Sequence, residues 1–242
     1  MKNWLILLWG ELMRLWKYKI LLFGFLVSLI WVLIVSLVNR TEALSLMPML
    51  LVLDTGMMVI LLLASSYYFE KQEGTIKTLF VTPIHAMQLL SAKIASTFVS
   101  GLISMTLIGL AVWLIHGIDT INYPLAFLYV VLSTLAHVAI GFLLIFSSID
   151  FMSLLMKHSM LMLVLLLPSV LEPLALIPEN LRYFNFLSPS YASQILMHSL
   201  ITPMTLPLQQ DVGFALTSLV ILSLLMYPLF IYPAFKQEAT KS

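Results

Sequence analysis

Residues 20–38 read ILLFGFLVSLIWVLIVSLV, a run of 19 residues without one charged side chain. Coiled into an α-helix at about 1.5 Å per residue, such a run reaches across the roughly 30 Å hydrocarbon core of a bilayer. Comparable runs follow at 46–69, 92–116, 124–149, 159–177 and 212–235. Lipid offers no hydrogen-bond partners, so each run must satisfy its own backbone. Together they predict an all-α polytopic membrane protein with six transmembrane helices in a single domain, 1–242. The composition agrees. At 61% apolar and 10% charged, the chain lacks the polar residues to cover a water-soluble globule. A net charge of +1 gives no sign of a nucleic-acid partner. The chain has no cysteine, which excludes disulfides, thiolate nucleophiles, thiolate metal ligands and palmitoyl anchors. The first run spans a full bilayer and lacks a small-x-small cleavage site, so it reads as a retained helix and not as a signal peptide.

Charge placement orients the runs. Lys2, Arg14, Lys17 and Lys19 precede the first; Lys71, Lys77 and Lys93 flank the second connection; Lys157 falls in the fourth; Lys236 and Lys241 follow the last. Only Arg40 and Arg182 fall opposite, each near an acidic neighbour, Glu42 and Glu179. Basic residues collect on the cytoplasmic side, so both ends and the even-numbered connections are expected there.

Two segments outside the runs are more apolar than loops. In 1–19, Trp4, Leu5, Leu8, Leu12, Leu15 and Trp16 recur at helical spacing, with Asn3, Gly10, Arg14 and Lys17 opposite and Glu11 at the border. This reads as an interfacial helix on the inner membrane surface, in contact with lipid, or as the leading part of a long tilted first span. In 178–211, Ser188-Pro189 has the cap and first-position proline of a helix start, and Thr202-Pro203 marks where that helix ends. A re-entrant helical element dipping into the outer leaflet fits this composition.

The functional signal lies where the second run ends: Tyr67-Tyr68-Phe69-Glu70-Lys71-Gln72-Glu73-Gly74-Thr75-Ile76-Lys77-Thr78-Leu79-Phe80-Val81-Thr82-Pro83. Gly74 permits a sharp change of direction. Thr75 can cap a short helix, with Glu73 near its positive end. Ile76, Leu79, Phe80 and Pro83 then fall on one face beside Lys77 and Thr78, and Thr82-Pro83 opens the next helix. The pattern describes a short amphipathic helix between two spans, able to press a ridge into a partner's groove or to rest on headgroups.

The run Glu70-Lys71-Gln72-Glu73-Gly74-Thr75, with Leu79, Thr82-Pro83 and Lys93, resembles the E-(K/R)-E-x-G-T-x-x-x-L-x-x-T-P signature of ABC-2 type transporter permeases. Gln72 departs from it where the family more often has a charge. The length, six spans, leading helix and re-entrant element are similar too. The segment also resembles that of fluoroquinolone-export permeases, which carry an Asp in the second span. The resemblance implies a permease subunit of an ATP-driven exporter in a bacterial inner membrane, paired with a second permease chain and moving a drug-like or amphipathic substrate. It implies that segment 70–91 holds a coupling helix for a separate cytoplasmic ATPase, which binds ATP and Mg. On this basis Glu70, Glu73, Gly74, Thr75, Ile76, Lys77, Leu79, Phe80, Thr82 and Pro83 are the coupling candidates, with Glu70 and Glu73 supplying polar contacts. The chain itself has no G-x-x-x-x-G-K-[ST] phosphate loop, so no cofactor is expected in it.

Asp54, inside the second run, is a functional hypothesis because an unpartnered carboxylate in lipid is costly. It can line a substrate pathway or be satisfied by neighbouring helices. Met57 and the deep His137 are further pathway candidates, His137 also reading as an interhelical hydrogen bond. Glu172, between Pro168 and Pro173, reads as either a pathway residue or a brace at a broken helix end. No H-E-x-x-H or G-x-S-x-G appears and no histidine pair has i, i+4 spacing, which argues against a membrane enzyme or a metal site. An ion-coupled secondary transporter would ask for more buried ionisable groups than Asp54 and Glu172.

Overall fold

A computed structural model describes every residue except Met1, Ile76, Lys77, residues 79–83, Asp119, Thr120, Pro173 and Ser242. Helix α1 covers Lys2–Lys17 and α2 covers Ile20–Leu37. Next, α3 (Arg40–Val52) passes through a π-helical stretch, Leu53–Met58, into α4 (Val59–Gln72). Helices α5 (Ala86–His116), α6 (Tyr123–Ser147) and α7 (Phe151–Leu171) follow. A 3-10 segment, Glu179–Leu187, leads to α8 (Pro189–His198). Finally α9 (Leu206–Met226), a second π-helical stretch, Tyr227–Ile231, and α10 (Tyr232–Lys241) run as one helix. Six of these units are long and apolar enough to cross a membrane, and no β-strand occurs among the described residues. The expected fold class is the observed one.

Capping explains where the spans begin. The Asn39 side chain accepts from the Glu42 amide at 2.9 Å while Glu42 accepts from the Asn39 amide at 3.2 Å. This reciprocal box starts the second span at Arg40, six residues before the apolar run. Asp150 accepts from the Ser153 amide at 2.7 Å and so starts α7 at Phe151. Lys157 therefore lies in the fifth span and not in the fourth connection, and its ammonium folds back to the Ser147 carbonyl. Lys19, in the left-handed region at φ 58°, separates α1 from α2, so α1 is a helix of its own and no extension of the first span. Ser188 caps α8 as its sequence suggests, and Tyr191, Ala192, Leu196 and Met197 bury that helix against α3, α6 and α9.

The bundle closes around the π-helical stretch of the second span. Widening a helical turn frees backbone carbonyls, which then need donors from elsewhere. Here the side chains supply them. Thr55 Oγ1 donates to the Leu51 carbonyl at 2.7 Å, Thr134 Oγ1 to the Thr55 carbonyl at 3.1 Å, and His158 Nε2 to the Met57 carbonyl at 3.2 Å. Asp54 Oδ2 accepts from Ser28 Oγ at 2.7 Å and Ser104 Oγ at 2.6 Å, tying α2 and α5 to the stretch. His137 Nδ1 donates to the Ser133 carbonyl at 2.8 Å, leaving Nε2 to accept from Ser190 Oγ at 3.0 Å. Helices α2, α5, α6 and α7 thus converge on six residues by polar contacts, and α8 joins them through His137, the means available where lipid removes the hydrophobic drive.

Gly56 makes this convergence possible. A methyl group added there would sit 2.8 Å from His137 Nε2, inside van der Waals contact. Gly56→Ala should therefore cost about 1–3 kcal/mol through overpacking, read as earlier thermal unfolding in detergent. His137→Ala should relieve most of that cost in the double variant; a melting curve for Gly56→Ala that overlays the wild type would show that the contact is loose.

Candidate functional site

The end of α4 is fastened to α1 and α5 by four charged side chains. Glu70 on α4 is fully buried, Lys93 on α5 is 3% exposed and Glu11 on α1 is 1% exposed. Lys93 Nζ donates to Glu70 at 2.5 and 2.6 Å and to Glu11 Oε2 at 3.1 Å. Arg14, from the outer turn of α1, reaches Glu11 Oε1 at 2.5 Å and lies 3.5 Å from Glu70 Oε1. Ser66 Oγ adds a hydrogen bond to Glu70 at 3.1 Å. Two acids and two bases cancel, which is what burial of charge requires. Trp4 Nε1, donating to Ser91 Oγ at 3.0 Å, pins the other end of α1 to α5.

This arrangement corrects the reading of α1. Its packed face carries Leu7, Glu11 and Leu15, whereas Leu5, Ile6, Trp9, Met13 and Trp16 are exposed. The helix buries Glu11 between Leu7 and Leu15 and leaves its larger apolar side chains outward, as expected of a helix whose outer face meets lipid. Glu70 is corrected as well. Its carboxylate is spent within the chain, so it offers no surface contact. Glu11 and Lys93 are the partners that the helical stripe did not reveal.

Beyond Glu70 the chain turns outward. Gly74, at φ 69°, takes the left-handed position that ends α4, its amide bonded to the Lys71 carbonyl at 3.2 Å. Thr75 does not cap a following helix as its position suggested; its hydroxyl donates back to the Glu70 carbonyl at 3.0 Å. The Thr78 amide reaches the Gly74 carbonyl at 3.4 Å and its hydroxyl the Thr75 carbonyl at 2.8 Å, so one turn is set. Glu73 stays at the surface, taking Tyr18 Oη at 2.6 Å and Lys17 Nζ at 3.0 Å. The Tyr18 hydrogen bond, then the Lys17 ammonium, hold its carboxyl below the ordinary value, so the anion persists into mildly acidic pH. The Tyr18 ring also packs on Phe69 at 5.1 Å. The remaining coupling candidates, Ile76, Lys77, Leu79, Phe80, Thr82 and Pro83, lie outside the described residues.

The four pathway candidates do not form one site. Asp54, Met57 and His137 are at most 2% exposed and belong to the polar centre around the π-helical stretch. Glu172 is at the other end of the bundle, where Arg182 joins it at 3.2 Å and Asp211 at 2.5 Å. That triad links the end of α7, the 3-10 segment and the start of α9, the brace reading of Glu172. None of the four lines a cavity of about 660 Å³ between α5, α6 and the last span. Its walls are Met87, Leu90, Phe98, Leu135, Tyr227 and Tyr232 among others, almost wholly apolar.

No curated protein matches the sequence closely enough to count as a relative. A family model described as ABC-2 family transporter protein matches residues 46–232, from within the second span to within the sixth, and includes Glu70, Gly74 and Lys93. A match over most of the chain, on a bundle of six apolar helices, shows that this multi-pass membrane protein belongs to the ABC-2 transporter family.

Proposed function

We propose that the chain is the membrane-spanning permease subunit of an ATP-driven exporter, and that the turn beginning at Gly74 presents the docking segment for a cytoplasmic ATPase. The supporting observation is the buried Glu70–Lys93–Glu11 junction directly behind that turn. A docking segment is useful only if its load reaches the spans. Here the load-bearing point is the end of α4, and α4 leads straight back to the π-helical stretch on which the other helices converge. Movement of the ATPase subunits on ATP binding would shift α1, α4 and α5 as one body and bias the bundle between two states. ATP and Mg belong to the ATPase partner.

In this reading residues 70–91 lie on the cytoplasmic side with both chain ends, in a bacterial inner membrane. A second permease chain completes the pathway. The apolar cavity beside α5 suits a drug-like or amphipathic substrate better than a hydrophilic one.

Two tests separate the junction from the turn. Lys93→Met leaves Glu70 and Glu11 buried without their shared cation and should cost about 3–5 kcal/mol, seen as lowered thermal stability in detergent, with Lys93→Arg closer to wild type. Gly74→Pro, which loses the φ 69° turn and the amide bond to Lys71 and so melts somewhat earlier, and Glu73→Ala, which melts close to normally, should both insert yet lower transport per ATP hydrolysed by about tenfold, roughly 1.4 kcal/mol of lost coupling. The measurement is substrate flux against ATP turnover with the co-purified ATPase in proteoliposomes. Unchanged coupling in both variants at normal expression would rule out the docking role.

A further inference from the structure

Where α1 meets α2, a pocket of about 270 Å³ is walled by Trp16, Lys17, Lys19 and Leu22. We infer that this pocket binds the phosphate headgroup of an anionic phospholipid, with Lys17 and Lys19 on the phosphate and the acyl chain laid along Trp16 and Leu22.

The location comes first. The pocket sits between a helix with an apolar outer face and the first turn of the first span, so it lies at the membrane boundary, where lipid is the abundant source of phosphate. Trp16 is 66% exposed and Leu22 43%, and Leu26, one turn further along α2, is 51% exposed. They form an uncovered apolar track leading from the two lysines toward the hydrocarbon. Long lysines at such a boundary lay their stems on apolar surface and their ammonium groups among headgroups.

Local charge favours an anion. Glu11 and Glu70 are turned inward and matched by Lys93 and Arg14. Glu73 is the carboxylate that Lys17 meets, and Lys17 remains 65% exposed there. The start of α2 adds to the field. Lys19 gives it no side-chain cap, so the first amides of an 18-residue helix carry their positive end toward this junction.

The site has a consequence for the turn at Gly74. A phosphate oxygen on Lys17 competes with Glu73 for one ammonium charge, and the phosphate's own negative charge repels the carboxylate. A bound anionic headgroup would weaken the hold of Lys17 on Glu73 and leave that carboxylate mainly to Tyr18. Lipid charge would thereby set how firmly the end of α4 is tethered. This inference needs only the tether seen in the structure and holds whether or not an ATPase docks on the turn.

The test uses the full chain, delipidated in detergent, with lipid adducts counted by native mass spectrometry. Wild type should retain phosphatidylglycerol in preference to phosphatidylcholine. Lys19→Gln should lower that preference roughly fivefold, the weight of one basic residue at an anionic surface, and Lys17→Gln by a similar factor. Lys236→Gln should leave it unchanged. Inorganic phosphate at matched concentration should not displace the lipid. Hydrogen exchange at the amides of residues 72–75 should rise on adding phosphatidylglycerol to wild type and stay flat in Lys19→Gln. Equal retention by all variants, each checked for a wild-type melting curve, would overturn the site. Displacement by inorganic phosphate would overturn the lipid assignment. Exchange that ignores lipid would overturn the link to Glu73.

Discussion

A lysine ammonium shared by two carboxylates inside a membrane protein is the constraint on which the rest of this structure depends. Lys93 is reached by Glu70 from the second span and by Glu11 from α1, and its own helix is the third span. Removing three ions from water costs several kcal/mol each. That cost is recovered only while all three helices hold their relative positions. The junction therefore works as a condition on geometry more than as a source of net stability. Any displacement of α4 against α5 that separates these groups leaves a charge stranded in a low-dielectric interior. The low-energy motions of this end of the bundle are those in which α1, α4 and α5 move together.

That condition gives the surface turn its meaning. Gly74 stops α4 four residues after Glu70, less than the rise of two turns from the ion pair. Thr75 ties the departing chain back to the Glu70 carbonyl, and Tyr18 and Lys17 hold Glu73 from the side of α1. The turn is thus braced from behind and from one flank. A loop with the same apolar pattern but without this bracing would absorb a push by bending. Here a push meets the end of a helix whose apolar stretch is 72% buried, against 22% for the first and sixth spans and 17% for the fifth. On the proposed docking role, load entering at Gly74 would be led into the middle of the bundle and not along its lipid-facing rim.

How far the sequence foretold this differs from part to part. The six spans follow from length and hydropathy, because lipid enforces a simple rule on the backbone. The turn at Gly74 was legible for a similar reason, since charge and glycine act locally, whereas the Thr75 hydroxyl turns back to the Glu70 carbonyl. The junction was not. Glu11 reads as a border residue on an amphipathic stripe, and its burial is decided by Lys93, 82 positions away. Lys93 could be read as one more basic residue on the cytoplasmic side, and Glu70 as a surface acid, because nothing local says that a charge has found a partner inside. The hydropathy stripe on α1 misled for a further reason. It gathers Leu15 with Leu5 and Trp16 on one lipid-facing side, whereas Leu15 packs inward with Leu7 and Glu11 while Leu5 and Trp16 stay exposed.

The polar centre around Asp54 shows the same limit from another side. Ser28, Thr55, Ser104, Thr134, His137 and Ser190 are scattered over four helices and the π-helical stretch, and each serine and threonine alone looks like a tolerated small polar residue. Only the π-helical stretch unites them, by freeing carbonyls that must be met and by bringing Gly56 against His137. An intramembrane carboxylate invites a reading as part of a pathway, yet both serine donors of Asp54 lie on one oxygen and its side chain is enclosed. A pathway lined by Asp54 would have to part α2 from α5, which share the largest packing contact in the bundle. Access to a substrate is easier at the weakly buried spans, whose apolar faces need no interior hydrogen bonds broken. Asp54, Glu11, Glu70 and Glu172 therefore act as fasteners, and the lipid-exposed faces are the surfaces free to change partners.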